Sequence, residues 1–200
     1  MTMPLPSLLT SVYAESPAAW RQWLANNYAV ETSVWLAIYK KASGRPSVTY
    51  DEAVDEALCF GWIDSSARKG DANRYFQFFA RRNPKSNWSG VNKAKVEKLT
   101  LAGKMTDAGM AMVNLAKQTG TWTALDEVER LTCPPDLAEK FDENPTAKGY
   151  FEAFPKSAKR GILEWLLNAK TSETRAKRIM EIVALAARNE RANQYVPRPK

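Results

Sequence analysis

The sequence predicts an α+β fold: a small antiparallel β-sheet of about three strands, one hairpin among them, covered by helices and followed by a C-terminal helical bundle. Three observations predict it. Val34 to Tyr39 (VWLAIY) is a continuous apolar run rich in β-formers. Trp62 to Lys69 and Arg74 to Arg81 flank Gly70-Asp71-Ala72-Asn73, the composition of a hairpin turn. After Pro84 the apolar spacing becomes helical.

The elements follow in order. Ser16-Pro17 predicts a helix start, with Ser as cap and Pro at the first helical position, and Trp20, Trp23 and Leu24 then fall on one face. Lys40-Lys41 and the turn Ser43-Gly44-Arg45-Pro46 end the first strand. Thr49 and Glu52 fit a capping box, opening a helix that buries Ala53, Val54, Ala57 and Leu58 and stops near Gly61. The second hairpin strand carries aromatics on both faces, Tyr75 and Phe79 against Phe76 and Phe78, and is expected to be covered on both sides. Ser89 caps a helix to Leu101, and another runs from about Asp107 to Gln118. Thr132 to Pro135 breaks the pattern, and Asn144-Pro145 starts a helix toward Phe154. Ser157 to Lys170 and Ser172 to Asn189 form the clearest helical pair, with apolar sets Ile162, Leu163, Trp165, Leu166 and Ile179, Ile182, Val183, Leu185. The tail from Arg191 to Lys200 is polar and expected to be loose. The domain expectation is an α+β region over 1–104 and a helical region over 105–200 packed on it, or one single domain.

Composition narrows the chemistry. The chain of 200 residues has 44% hydrophobic and 26% charged residues, ordinary for a globular protein able to bury a core without metals or disulfides. Cys59 and Cys133 make no disulfide framework and no four-ligand zinc site. With no histidine, Ser-His-Asp and Cys-His catalysis and every His-ligated metal site are excluded. Neither nucleotide-binding glycine fingerprint is present. No signal peptide or membrane-length apolar segment is visible, so the expectation is a cytoplasmic protein without membrane insertion. No cofactor and no metal are expected.

The net charge of +7 is uneven. Residues 68–104 hold ten Lys/Arg against two Asp/Glu, and residues 156–200 hold eleven against four. Around the hairpin, Arg68 precedes the turn and Arg81-Arg82 end the second strand. Lys85 and Trp88 follow, just before a helix start at Ser89. Guanidinium groups, an aromatic plane and free backbone N–H groups are what an anionic ligand requires. The alternative is a solvated hairpin with Trp88 packed on the next helix. Arg81 lies at the open end and Arg68 at the turn end, so their convergence needs a short or strongly twisted ribbon. Lys41 and Asp64 complete the candidate ligand-binding set, Asp64 either facing a pocket or satisfying turn backbone. Glu52, Asp55 and Glu56 share one helix face, suited to acid–base work, to binding a divalent cation or simply to solvent. Lys159, Arg160 and Arg175 oppose their helix dipoles and are expected to pair with acids from residues 126–143.

Four stretches, VWLAIYKKASG, TYDEAVDEALCFGWIDS, RNPKSNWSGVNKAKVEKL and AKTSETRAKRI, resemble the YdeI/OmpD-associated (OmdA) family, also called bacteriocin-protection proteins. The resemblance runs from about Trp20 to Arg188. It implies the α+β fold, a bacterial source, protection against antimicrobial peptides and association with an outer-membrane porin. It carries no catalytic residues onto these positions.

The functional expectation is therefore a non-enzymatic stress-protection or ligand-binding protein with a basic anion site. The expected partner is a small anionic molecule, with a protein partner also open. A nucleic-acid-binding protein using both basic blocks is one alternative. An enzyme using Asp64 or the Glu52/Asp55/Glu56 face is another.

Overall fold

In the computed structural model, which describes residues 11–193, the local signals act where their chemistry places them. Ser16 accepts from the Ala19 N–H and opens helix α1 (Pro17–Asn27). Thr49 and Glu52 form the reciprocal capping box of helix α2 (Tyr50–Cys59). Gly61, at φ +73°, reverses the chain after α2, a conformation that strains any residue with a Cβ. The strands are β1 (Val12–Tyr13), β2 (Ser33–Tyr39), β3 (Trp62–Lys69) and β4 (Arg74–Arg81). Helices α3 (Gly90–Leu101) and α4 (Asp107–Thr119) follow, and a short 3-10 turn (Lys41–Ser43) sits after β2.

The described sheet has four strands in the order β1-β2-β4-β3 and is mixed. This corrects the expectation of about three antiparallel strands. β1 runs parallel to β2 and is two residues long, too short to show any period. The hairpin pairs Trp62 with Arg81 and Lys69 with Tyr75, with one extra β3 residue between Asp64 and Ala67. One sheet face contributes Leu36, Ile38 and Phe79 to the core formed with α1, α2, α3 and α4. The other carries a smaller cluster of Trp35, Ala37 and Phe76, as a strand with aromatics on both faces requires.

The chain divides into two compact units between Thr123 and Ala124. Helix α4 belongs to the first because its opening turn docks on the end of α2. The Thr106 hydroxyl and N–H both donate to the Cys59 carbonyl, at 2.6 and 3.1 Å. Gly109 permits the approach, since a Cβ there would lie 2.2 Å from that carbonyl oxygen.

The second unit holds α5 (Asp126–Glu129), α6 (Pro135–Asp142), α7 (Pro145–Ala153), α8 (Lys156–Leu167) and α9 (Ser172–Ala186). Its core includes Leu137, Phe141, Phe151, Ile162, Leu163, Leu166 and Ile182. Helix α8 starts at Lys156 after Pro155 with no side-chain cap, so Ser157 lies inside it, where the fixed φ of Pro155 precedes the first turn. Helix α9 starts at Ser172, as expected, and is capped by Thr171, which accepts from the Thr174 N–H. The misplaced cations find acceptors within the unit. Arg175 forms a two-point contact with Asp136 at 2.5 and 2.8 Å, and Arg160 meets Glu164 at 3.3 Å and Glu129 at 3.9 Å. Lys159 donates to the Glu152 carbonyl at 2.9 Å. Among the described residues no helix is long and apolar enough to cross a membrane. The tail beyond Asn193 and the first ten residues, on which the leader reading falls, lie outside the described residues.

Candidate functional site

Strand register decides which of the hairpin cations can meet. Arg81 stands opposite Trp62, whereas Arg68 stands opposite Phe76. Successive residues alternate faces, so Arg81 shares a face with Phe79 and Arg68 lies on the other, its guanidinium 5.0 Å over the Trp35 ring. From Trp62 to Arg68 the strand also rises roughly 20 Å at ~3.3 Å per residue. The two arginines are therefore separated by face and by length. Lys41 is exposed at the turn end of the hairpin, where the neighbouring Lys40 N–H donates to the Asn73 carbonyl.

Asp64 accepts a 2.8 Å hydrogen bond from the Tyr50 hydroxyl. Burial, reinforced by that carboxylate, pushes Tyr50 up to about 12. The acids of the α2 face each have a partner. Glu52 closes the capping box, Asp55 meets Lys95 at 2.5 Å, and Glu56, only 6% exposed, meets Arg21 at 2.7 Å. Cys59 is buried, and burial pushes its thiol up, away from the reactive thiolate. Among the described residues no cluster of three Cys, Asp or Glu is placed to hold a metal ion.

Trp88 is 2% exposed, packed 5.0 Å from Trp122 and covered at 3.8 Å by the guanidinium of Arg82. It offers no open stacking face; it is the apolar support under a buried arginine. Lys85 is exposed, its N–H held by the Asn83 side chain in a tight turn.

That arginine is the residue the sequence reading passed over. Arg82 is 5% exposed, continues the ladder past β4 through its N–H to the Gly61 carbonyl, and donates to the Asn87 carbonyl at 2.5 Å. Its Nε has no acceptor among the described residues, and no carboxylate pairs with it there. Neither undescribed segment contains an Asp or Glu. Burial alone pulls its guanidinium down to about 10. A buried charge without an ionic partner is costly, and here only the Trp88 ring and the Asn87 carbonyl offset that cost among the described residues.

Arg82 lines a cleft of about 690 Å³ at the open end of the hairpin. Arg81 and Arg82 form one wall; its Nε occupied by the Glu31 carbonyl at 2.8 Å, Arg81 is exposed. Phe60, Gly61 and Trp62 lie across from the β4 end in sequence order, with Ala108 and Met112 from α4. Gly61 is again required, because a Cβ there would stand 2.8 Å from Met112 Cγ. Trp62 is 1% exposed and its indole N–H also lacks an acceptor among the described residues. Two unmatched buried donors thus belong to residues lining one cleft that no acidic side chain lines. A second groove, of about 570 Å³ between α3 and α4, is lined by Val96, Val113 and Met110 with Lys93 and Lys117, but none of its charged residues is buried. The signal that marks Arg82 is adjacency to Arg81: successive residues of an extended chain point to opposite sides, so Arg82 leaves the side on which Arg81 is exposed.

Comparison with known families divides the chain in the same two parts. Residues 12–112 match the model of a domain of unknown function (DUF8412), and residues 130–189 match that of the bacteriocin-protection, YdeI or OmpD-associated family. Of the four stretches carrying the resemblance, AKTSETRAKRI lies in the second match and the other three in the first. No curated protein and no solved structure matches the chain. The chain therefore belongs to the DUF8412 family, whose model spans half its length, and the segment after it is similar to the bacteriocin-protection, YdeI or OmpD-associated family.

Proposed function

We propose that the first unit binds a small anion in the cleft at the open end of the hairpin, with Arg82 as the principal ligand and Arg81 at the mouth. One observation carries this reading: among the described residues, buried Arg82 has no carboxylate beside its charge and no acceptor for its Nε. A bound anion supplies both the missing charge and the missing acceptor, in the fork geometry guanidinium favours. Exposed Lys85 adds to the local positive field that attracts such a ligand. Arg68 and Lys41, at the far end of the hairpin, and Asp64, held by Tyr50, take no part.

The test is a thermal-shift titration of the full chain with inorganic phosphate, sulfate and small carboxylates at low and high salt. The reading expects a shift that survives high salt, because a buried ion pair is poorly screened. It also expects that shift to disappear in Arg82→Met. A shift that vanishes with salt, or that persists in Arg82→Met, contradicts it.

A further inference from the structure

The cleft has one charged wall, and the rest of its lining is chemically different. Tyr28, Phe60, Met112 and Pro84 present ring and aliphatic surface to the same space. Tyr28 and Phe60 pack against each other at 5.5 Å, forming a continuous aromatic side. A volume of about 690 Å³ lies inside the ~300–1,000 Å³ range of pockets for small organic molecules. It is far larger than one inorganic oxyanion fills, and such an ion would leave the apolar side wet. The Trp62 indole N–H is a second donor belonging to the lining, available to the other oxygen of a carboxylate.

We infer that the anion is the carboxylate of an amphipathic organic acid whose apolar body packs on Tyr28, Phe60 and Met112 while Arg82 and Arg81 hold its charged end. This deepens, and rests on, the anion-site reading above. The class follows from the two walls together. The arginines demand an anion, and the apolar side rewards a ligand that brings a ring or alkyl chain with it.

The experiment is a calorimetric titration of the full chain with four probes: phenylacetate, acetate, inorganic phosphate and 2-phenylethanol. The expected result is phenylacetate binding at least tenfold tighter than each of the other three, with at least a tenfold loss in Arg82→Met. Arg81→Gln, an exposed substitution that leaves the core untouched, is expected to weaken phenylacetate several-fold, which keeps the test informative should Arg82→Met fold poorly. Acetate or phosphate binding as tightly as phenylacetate, with loss in the arginine variants, overturns the ligand class and leaves the anion site standing. Failure of every anion, or 2-phenylethanol binding as well as phenylacetate, overturns the anion site itself. Tight phenylacetate binding unchanged in both variants places the ligand elsewhere and overturns both.

Discussion

Replacing Arg82 with Met should leave the free protein about as stable as it is now, although the residue is buried. The fall from the ordinary guanidinium value to about 10 corresponds to a burden of ~3.5 kcal/mol at ~1.4 kcal/mol per pH unit. That burden is constant at neutral pH, since the guanidinium stays charged in both states, and lifts only as pH rises through about 10. Against it stand the charged hydrogen bond to the Asn87 carbonyl, worth ~1.5–3 kcal/mol, and the contact with the Trp88 face, worth ~2 kcal/mol. The opposing contributions nearly cancel, and Met keeps most of the packing on Trp88. The expected change is therefore within ~1 kcal/mol. A buried arginine holding an acid partner would instead lose ~3–5 kcal/mol on removal. The assay is urea unfolding followed by tryptophan fluorescence, which reports mainly the first unit because six of the seven tryptophans precede Ala124. A loss of 3 kcal/mol or more would refute the reasoning, since Arg82 would then be a structural support rather than a charge kept for a ligand.

Gly109→Ala should destabilise the first unit by ~2 kcal/mol or more, because the new Cβ meets backbone that cannot step aside, whereas Gly161→Ala in α8, with open space around it, should stabilise the second unit by ~0.5–1 kcal/mol; chemical denaturation of each variant checks both. Glu56→Gln should cost ~2 kcal/mol by weakening the buried contact to Arg21 that ties α1 to α2, measured in the same way. The hydrogen bond from Arg175 holds the Asp136 carboxyl below its ordinary 3.8. Its contribution is fully present above the unfolded value and is lost as pH falls through the lower folded value. Both side chains are partly exposed, so the effect stays under ~1 kcal/mol. The helical signal of the second unit should therefore weaken below pH 4 slightly less steeply in Asp136→Asn than in the parent.

The elements were legible wherever local chemistry decides them. Ser16-Pro17, the Thr49–Glu52 box and the turn between Lys69 and Arg74 each act at short range, and each starts or ends an element where expected. β1 was not legible, because two residues make no pattern and their pairing with Leu36 and Ala37 is long-range. For the proposed site, the sequence pointed to the end of the hairpin but not to the side chains that line the cleft there. Charge clustering pointed to the hairpin and to Arg81. Face alternation removes Arg68, and burial beneath Arg82 turns Trp88 from a stacking plane into a floor. Those facts depend on register and on the approach of α4 to Gly61, which are tertiary. The inward turn of Arg82 was nonetheless implied by its position next to Arg81, on a strand already apolar on both faces.

The most direct test of the anion site is a proton–nitrogen NMR titration that watches Arg82 Nε–H and Trp62 Nε1–H as phenylacetate is added. Both groups lack an acceptor among the described residues of the free protein. The account predicts that the two resonances move together, saturate at one equivalent and hold their positions when salt is raised. Shifts spread over exposed lysines such as Lys85 and Lys98, with Arg82 and Trp62 unmoved, would contradict it.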